Sequence, residues 1–179
     1  MNYQEIIQFW FYEIKPSQIW TKDKKFDQLI VERFSEVYQQ ATRCELYQWR
    51  DSPHGCLAEI IVLDQFSRNM FRNSPLAFKF DSLALCLAQN AITHEIDKKV
   101  DKDKRSFIYL PLMHSESKII HKQALKIYQN LGNQSSLDFE IKHKNIIDKF
   151  GRYPHRNKVL GRDSTPEELD FLKGPNSSF

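Results

Sequence analysis

Long apolar runs are missing from this 179-residue chain: the cleanest aliphatic stretch, Ile60 to Leu63, falls far short of a membrane-spanning helix, which needs roughly 20 residues. Cysteine is scarce too, with Cys44, Cys56 and Cys86 odd in number, widely spaced and set among Leu, Ala and Ile. They offer no disulfide framework and no zinc spacing, and read as small buried hydrophobes in a reducing compartment. An excess of one charge is absent, since 26 Lys and Arg face 23 Asp and Glu for a net +3. Bulk charge therefore gives no ground for a membrane or nucleic-acid partner, and any electrostatic argument must be local. Also lacking are the Gly-x-x-x-x-Gly-Lys-Ser/Thr phosphate loop, Gly-x-Gly-x-x-Gly, the Gly-x-Ser-x-Gly elbow and Cys-x-x-Cys. P-loop nucleotide hydrolysis and dinucleotide redox chemistry are disfavoured accordingly, and no cofactor is named by the sequence. Met1 to Glu5 has no basic region of the secretory type, so a cytoplasmic protein is expected.

What is present is helical periodicity. Tyr3, Ile7, Trp10 and Ile14 recur at helix spacing before Pro16, and Phe26, Ile30, Phe34, Val37, Ala41 and Cys44 form a longer stripe. Ser52-Pro53 and Ser74-Pro75 each place a cap residue before a proline, predicting helices through Leu57 to Phe66 and through Phe80 to Ala91. Asp97 to Arg105 is almost wholly charged and reads as a solvated connection, followed by a short apolar element, Phe107 to Met113, broken at Pro111. Ser115 or Ser117 caps a helix that Gly132 stops, a further helix from about Ser136 ends at Gly151, and Thr165-Pro166-Glu167-Glu168 has the pattern of a capping box. No alternating run of Val, Ile and Thr suggests a strand. The expectation is an all-α fold of about seven to nine antiparallel helices in one domain over residues 1–173, with a disordered tail at 174–179.

Three polar runs could carry chemistry. In Asp64-Gln65-Phe66-Ser67-Arg68-Asn69-Met70-Phe71-Arg72, the residues Asp64, Arg68 and Arg72 share a helical face. One acid would steady two guanidiniums that grip a carboxylate or phosphate, with Gln65 and Asn69 beside them; a solvated intrahelical ion pair is the plainer alternative. In Leu110-Pro111-Leu112-Met113-His114-Ser115-Glu116, the imidazole of His114 is a candidate acid or base that Glu116 would orient, unless these residues only cap a helix.

The third run, Phe150-Gly151-Arg152-Tyr153-Pro154-His155-Arg156-Asn157-Lys158-Val159-Leu160-Gly161-Arg162, is the densest. Lys149 to Arg162 holds five Lys and Arg and no acid, and two glycines and a proline keep it from becoming a helix. Arg152, His155, Arg156 and Arg162 are candidate anion ligands and Asn157 a neutral hydrogen-bond partner, because an arginine fork fixes the orientation of a carboxylate or phosphate. Alternatively they bind carbonyls and acids of neighbouring helices and pin an irregular segment, with Asp163, Glu167, Glu168 and Asp170 near enough to neutralise some of them. His114, Glu116, His143, His155 and Asp64 would make a nitrogen and oxygen ligand set, yet no His-x-x-x-His spacing exists. Metal binding therefore ranks below anion binding, and no metal ligand is assigned.

These three runs, the third continuing to Leu160-Gly161-Arg162-Asp163-Ser164-Thr165, resemble those of the bacterial domain-of-unknown-function 924 family. The likeness extends from Phe9-Trp10-Phe11 and Trp20 to Phe171-Leu172, nearly the whole chain. It implies a tetratricopeptide-repeat-like all-helical fold and supplies no function. Two positions depart from the family pattern: His121 stands where glutamine is usual, and Thr21 follows Trp20 where an aromatic is usual.

Two functional expectations follow. In the first, the three runs converge on one polar pocket for a small anionic molecule: Arg68, Arg72, Arg152 and Arg156 hold the anion, His114 and His155 transfer protons, and Asp64 with Glu116 orient them. In the second, a non-enzymatic helical adaptor clamps an acidic peptide or protein partner with the same arginines, flanked by Trp20, Phe71 and Tyr153. RNA binding through the basic loop is disfavoured by the acidic flank and low net charge.

Overall fold

The computed structural model describes residues 1–175 and 177. Among them every regular element is helical, so the fold is all-α, as the periodicity predicts. Cα packing divides the chain into two compact units: Met1–Arg72 with Leu76–Pro111, and Asn73–Pro75 with the described residues from Leu112 onward.

In the first unit, α1 (Tyr3–Gln8) begins where the Asn2 side chain accepts from the backbone N–H groups of Gln4 and Glu5, and it runs into a π-helical turn, Phe9–Glu13. After α2 (Pro16–Trp20), Asp23 caps α3 (Lys24–Thr42), which buries Phe26, Ile30, Phe34, Val37 and Ala41, the predicted stripe. A continuous helix follows, made of α4 (Pro53–Ile61), a π-helical turn at Val62–Phe66 and α5 (Ser67–Met70). The last long element wholly in this unit is α6 (Asp81–Thr93). An aromatic cluster fills the core, with ring centroids 4.7 Å apart for Phe9 and Phe34, 4.8 Å for Phe34 and Phe66 and 5.5 Å for Trp10 and Phe66. Such burial is worth roughly 1.5–3 kcal/mol per large side chain before the entropy of ordering is subtracted.

Four local readings are corrected. Cys56 is buried, but Cys44 and Cys86 are exposed; Cys44 falls beyond the end of α3 with a left-handed φ of 58°. Ser74-Pro75 opens only a short 3-10 turn, Pro75–Phe78, and α6 starts separately at Asp81. The segment 97–105 is not wholly solvated, because Asp97 is buried and accepts from the Tyr109 hydroxyl at 2.5 Å, while Lys104 is buried between Asp101 and the Tyr12 hydroxyl. Pro111 does not break the apolar element, which belongs to α7 (Lys102–Met113). An internal proline costs about 3 kcal/mol, and burial of Phe107, Ile108, Tyr109 and Leu110 on the same helix outweighs it.

The second unit centres on α8 (Lys118–Leu131) and α9 (Gln134–Phe150), joined by Gly132 and Asn133 into a helical hairpin. Ser117 caps α8 through its hydroxyl, Asn133 caps α9, and Gly132 and Gly151 end the two helices at φ of 69° and 71°. Ile146, Ile147 and Tyr153 form a buried cluster against which Phe150 and Phe171 pack. The predicted capping box is present at Thr165, where Glu168 and Thr165 exchange hydrogen bonds to start α10 (Pro166–Phe171). Part of the tail expected to be disordered, 176 and 178–179, lies outside the described residues. No helix among the described residues is long and apolar enough to cross a membrane.

Candidate functional site

In the first unit the π-helical turn Val62–Phe66 widens the helix by one residue at Asp64 and Gln65, both buried. Such turns recur at functional sites. Gln65 Nε2 donates to Asp64 Oδ2 at 2.6 Å, and the Arg68 guanidinium reaches the Asp64 carbonyl, Asp64 Oδ1 at 3.2 Å and Asp81 Oδ2 at 3.0 Å. The expected sharing of Asp64 by two arginines is not what forms. Because α5 ends at Met70, Arg72 turns toward α3 and donates to both oxygens of Asp27 at 2.6 and 2.7 Å. Asn69 donates to the same Asp27 at 2.9 Å. Sequence reasoning missed Asp27 and Asp81, whose distance along the chain leaves no local signal.

In the second unit Glu116 lies on the connector before α8 and does not need His114 to explain its position. It accepts from Arg162 at 2.6 and 2.9 Å and from the Tyr153 backbone N–H at 2.8 Å. Burial alone would raise the Glu116 pKa, but the N–H groups of Arg162 and Tyr153 outweigh it and hold the carboxyl below its usual range. Arg152 forms a comparable pair with Glu168, at 2.7 and 2.8 Å, and also donates to the Asp163 carbonyl. Asn157, fully buried, donates to Ser164 Oγ and Glu168 Oε2. For Arg152, Arg162 and Asn157 these contacts are those that pin the irregular segment, and the acid at Glu168 is one that its nearness in sequence suggested. Its pKa falls to about 2, chiefly through the Arg152 hydrogen bond.

Around Tyr153 the same unit gathers four of the chain's six histidines. Ring centroids lie 5.5 Å from Tyr153 for His155, 5.7 Å for His143 and 6.4 Å for His121, and His114 is 6.4 Å from His143. The Arg156 guanidinium, 7% exposed as a residue, lies over the Tyr153 ring at 4.4 Å. His114 and His155 are half-buried, whereas His143 is buried and donates Nδ1–H to the Phe139 carbonyl. Burial pushes its pKa down to about 3, so the ring is neutral.

His121 and Glu140 complete the cluster, and neither was singled out as a site residue. His121 had one signal, its departure from the family pattern; Glu140 had none. Both are fully buried, with Glu140 Oε1 2.8 Å from His121 Nδ1. Burial raises the Glu140 pKa against the opposing effect of His121. Among the described residues no group of three or more His, Cys, Asp or Glu side chains is arranged to hold a metal ion.

A solved structure titled as a protein of unknown function, ATU0120, from Agrobacterium tumefaciens is similar over 96% of this chain and 97% of its own, with 36% identity and a TM-score of 0.91. No curated protein matches the chain. The profile of a family described as bacterial protein of unknown function (DUF924) matches residues 6–176, and the chain belongs to that family.

Proposed function

We propose that the second unit binds a small anionic molecule at the imidazole cluster around Tyr153, with Arg156 as the cation. The observation that carries this reading is the position of Arg156, a buried guanidinium stacked on an aromatic face amid imidazoles. A cation held this deep attracts an anion more strongly than an exposed one, because low-dielectric surroundings leave the field poorly screened. His114 and His155 are the groups for acid–base chemistry on the bound molecule, as half-buried imidazoles within the same cluster.

Thermal unfolding in the presence of inorganic phosphate, sulfate and small di- and tricarboxylates tests the proposal. A bound anion raises the wild-type midpoint by mass action, and Arg156→Gln removes the rise while retaining helical circular dichroism. If no small anion acts but an acidic peptide binds, the adaptor reading replaces this one.

A further inference from the structure

The contacts of His121 fix where its protons lie. Nε2 is 2.9 Å from the Ser115 carbonyl, which can only accept, so Nε2 carries a hydrogen. The Tyr153 hydroxyl gives its own hydrogen to the Met113 carbonyl at 2.5 Å, so at 3.1 Å from Nε2 it presents a lone pair to that same N–H. Nδ1 and Glu140 Oε1, 2.8 Å apart, need one further proton between them. Without it, a ring lone pair would face a carboxylate inside the protein, with neither residue exposed. Whether the pair is written as imidazolium with carboxylate or as imidazole with carboxylic acid, it holds this one proton and is neutral overall.

We infer that His121 and Glu140 form a one-proton latch, in which a single shared proton ties α8 and α9 to the 113–115 segment and to Tyr153. Loss of that proton strands one negative charge in the interior, and gain of a second strands one positive charge. Either change loosens the attachment of Tyr153, on which Arg156 and His155 rest. Besides Tyr153, the titratable or charged groups coupled to the pair are Lys144, Asp148 and His143, and Lys118, His114 and Arg156 act in turn on Asp148 and His143. They stay in place in the comparison that isolates the latch. The latch is independent of the proposed anion site, because its test reads the folding equilibrium without ligand.

The sign follows from proton counts. Above the ordinary imidazole value, about 6.5, an unfolded chain carries neither a Glu140 proton nor the second imidazole proton, whereas the native pair keeps one. Stability supplied by the pair is therefore present below that point and lost as pH rises. In Glu140→Gln the amide N–H supplies the missing hydrogen permanently.

The experiment measures urea unfolding of wild type and Glu140→Gln between pH 7 and 9. The folded-to-unfolded ratio of wild type, taken relative to the variant, is expected to fall up to about tenfold per pH unit, the signature of one proton. Parallel profiles would overturn the latch. Should Glu140→Gln fail to fold, the ¹⁵N shifts of the His121 ring and the ¹³C shift of the Glu140 carboxyl in the wild type at pH 8 decide: an imidazolium or a carboxylic acid supports the latch, and a neutral ring beside an ionised carboxylate overturns it.

Discussion

Arg162 meets the carboxylate of Glu116 through two N–H groups, at 2.6 and 2.9 Å, across 46 residues of chain. The same carboxylate receives the backbone N–H of Tyr153, so one acid fixes both the start and the end of the irregular segment. Glu116→Ala should destabilise the protein by about 1–3 kcal/mol in urea unfolding, because two partly buried donors lose their acceptor. Glu116→Gln, which keeps an acceptor for Tyr153 but not the charge, should cost less. Equal stability of Glu116→Ala and wild type would remove this junction from the account.

Acid should act on the neighbouring pair in a defined direction. The Glu168 pKa is lowered from 4.5 to about 2, first by the Arg152 hydrogen bond, then by the Thr165 backbone N–H and Asn157. A depressed carboxyl contributes stability above its unfolded value that is lost as pH falls toward the folded one. Between pH 4.5 and 2 the wild-type melting temperature should therefore drop more steeply than that of Glu168→Gln. Superimposable slopes in thermal scans would contradict the assignment.

Asp27 accepts from both Arg72 and Asn69, linking α3 to the end of α5. A double-mutant cycle of Asp27→Asn and Arg72→Gln should give a coupling of about 1–3 kcal/mol, as a two-point charged pair in contact does. A coupling near zero would show the pair to be energetically idle.

Gly55 allows a close backbone approach near the start of α4. A Cβ there would stand 2.1 Å from the Trp49 carbonyl oxygen, which is backbone and cannot swing aside. Gly55→Ala should cost at least about 1–3 kcal/mol, read as a lower urea midpoint.

Helix positions were legible in the sequence where local chemistry decides them. The stripe of α3, the capping box at Thr165 and the stops at Gly132 and Gly151 need only neighbours within a few residues. Pro111 was misread because local rules omit the burial that carries it inside α7. The arginines of the basic loop were found by their density, but which carboxylate each would meet was not: Glu116 and Arg162 are 46 residues apart and Asp27 and Arg72 are 45. Glu140 was invisible for another reason, since an acid on an amphipathic helix reads as solvent-facing until packing buries it.

The division of labour among the four arginines tests the account most directly. Arg72→Gln, Arg152→Gln, Arg162→Gln and Arg156→Gln are compared by thermal unfolding with and without the anion that most stabilises the wild type. The first three should melt earlier yet keep the anion-dependent rise, and Arg156→Gln alone should lose it. A rise that survives in Arg156→Gln, or vanishes equally in all four, would contradict an anion site built on Arg156.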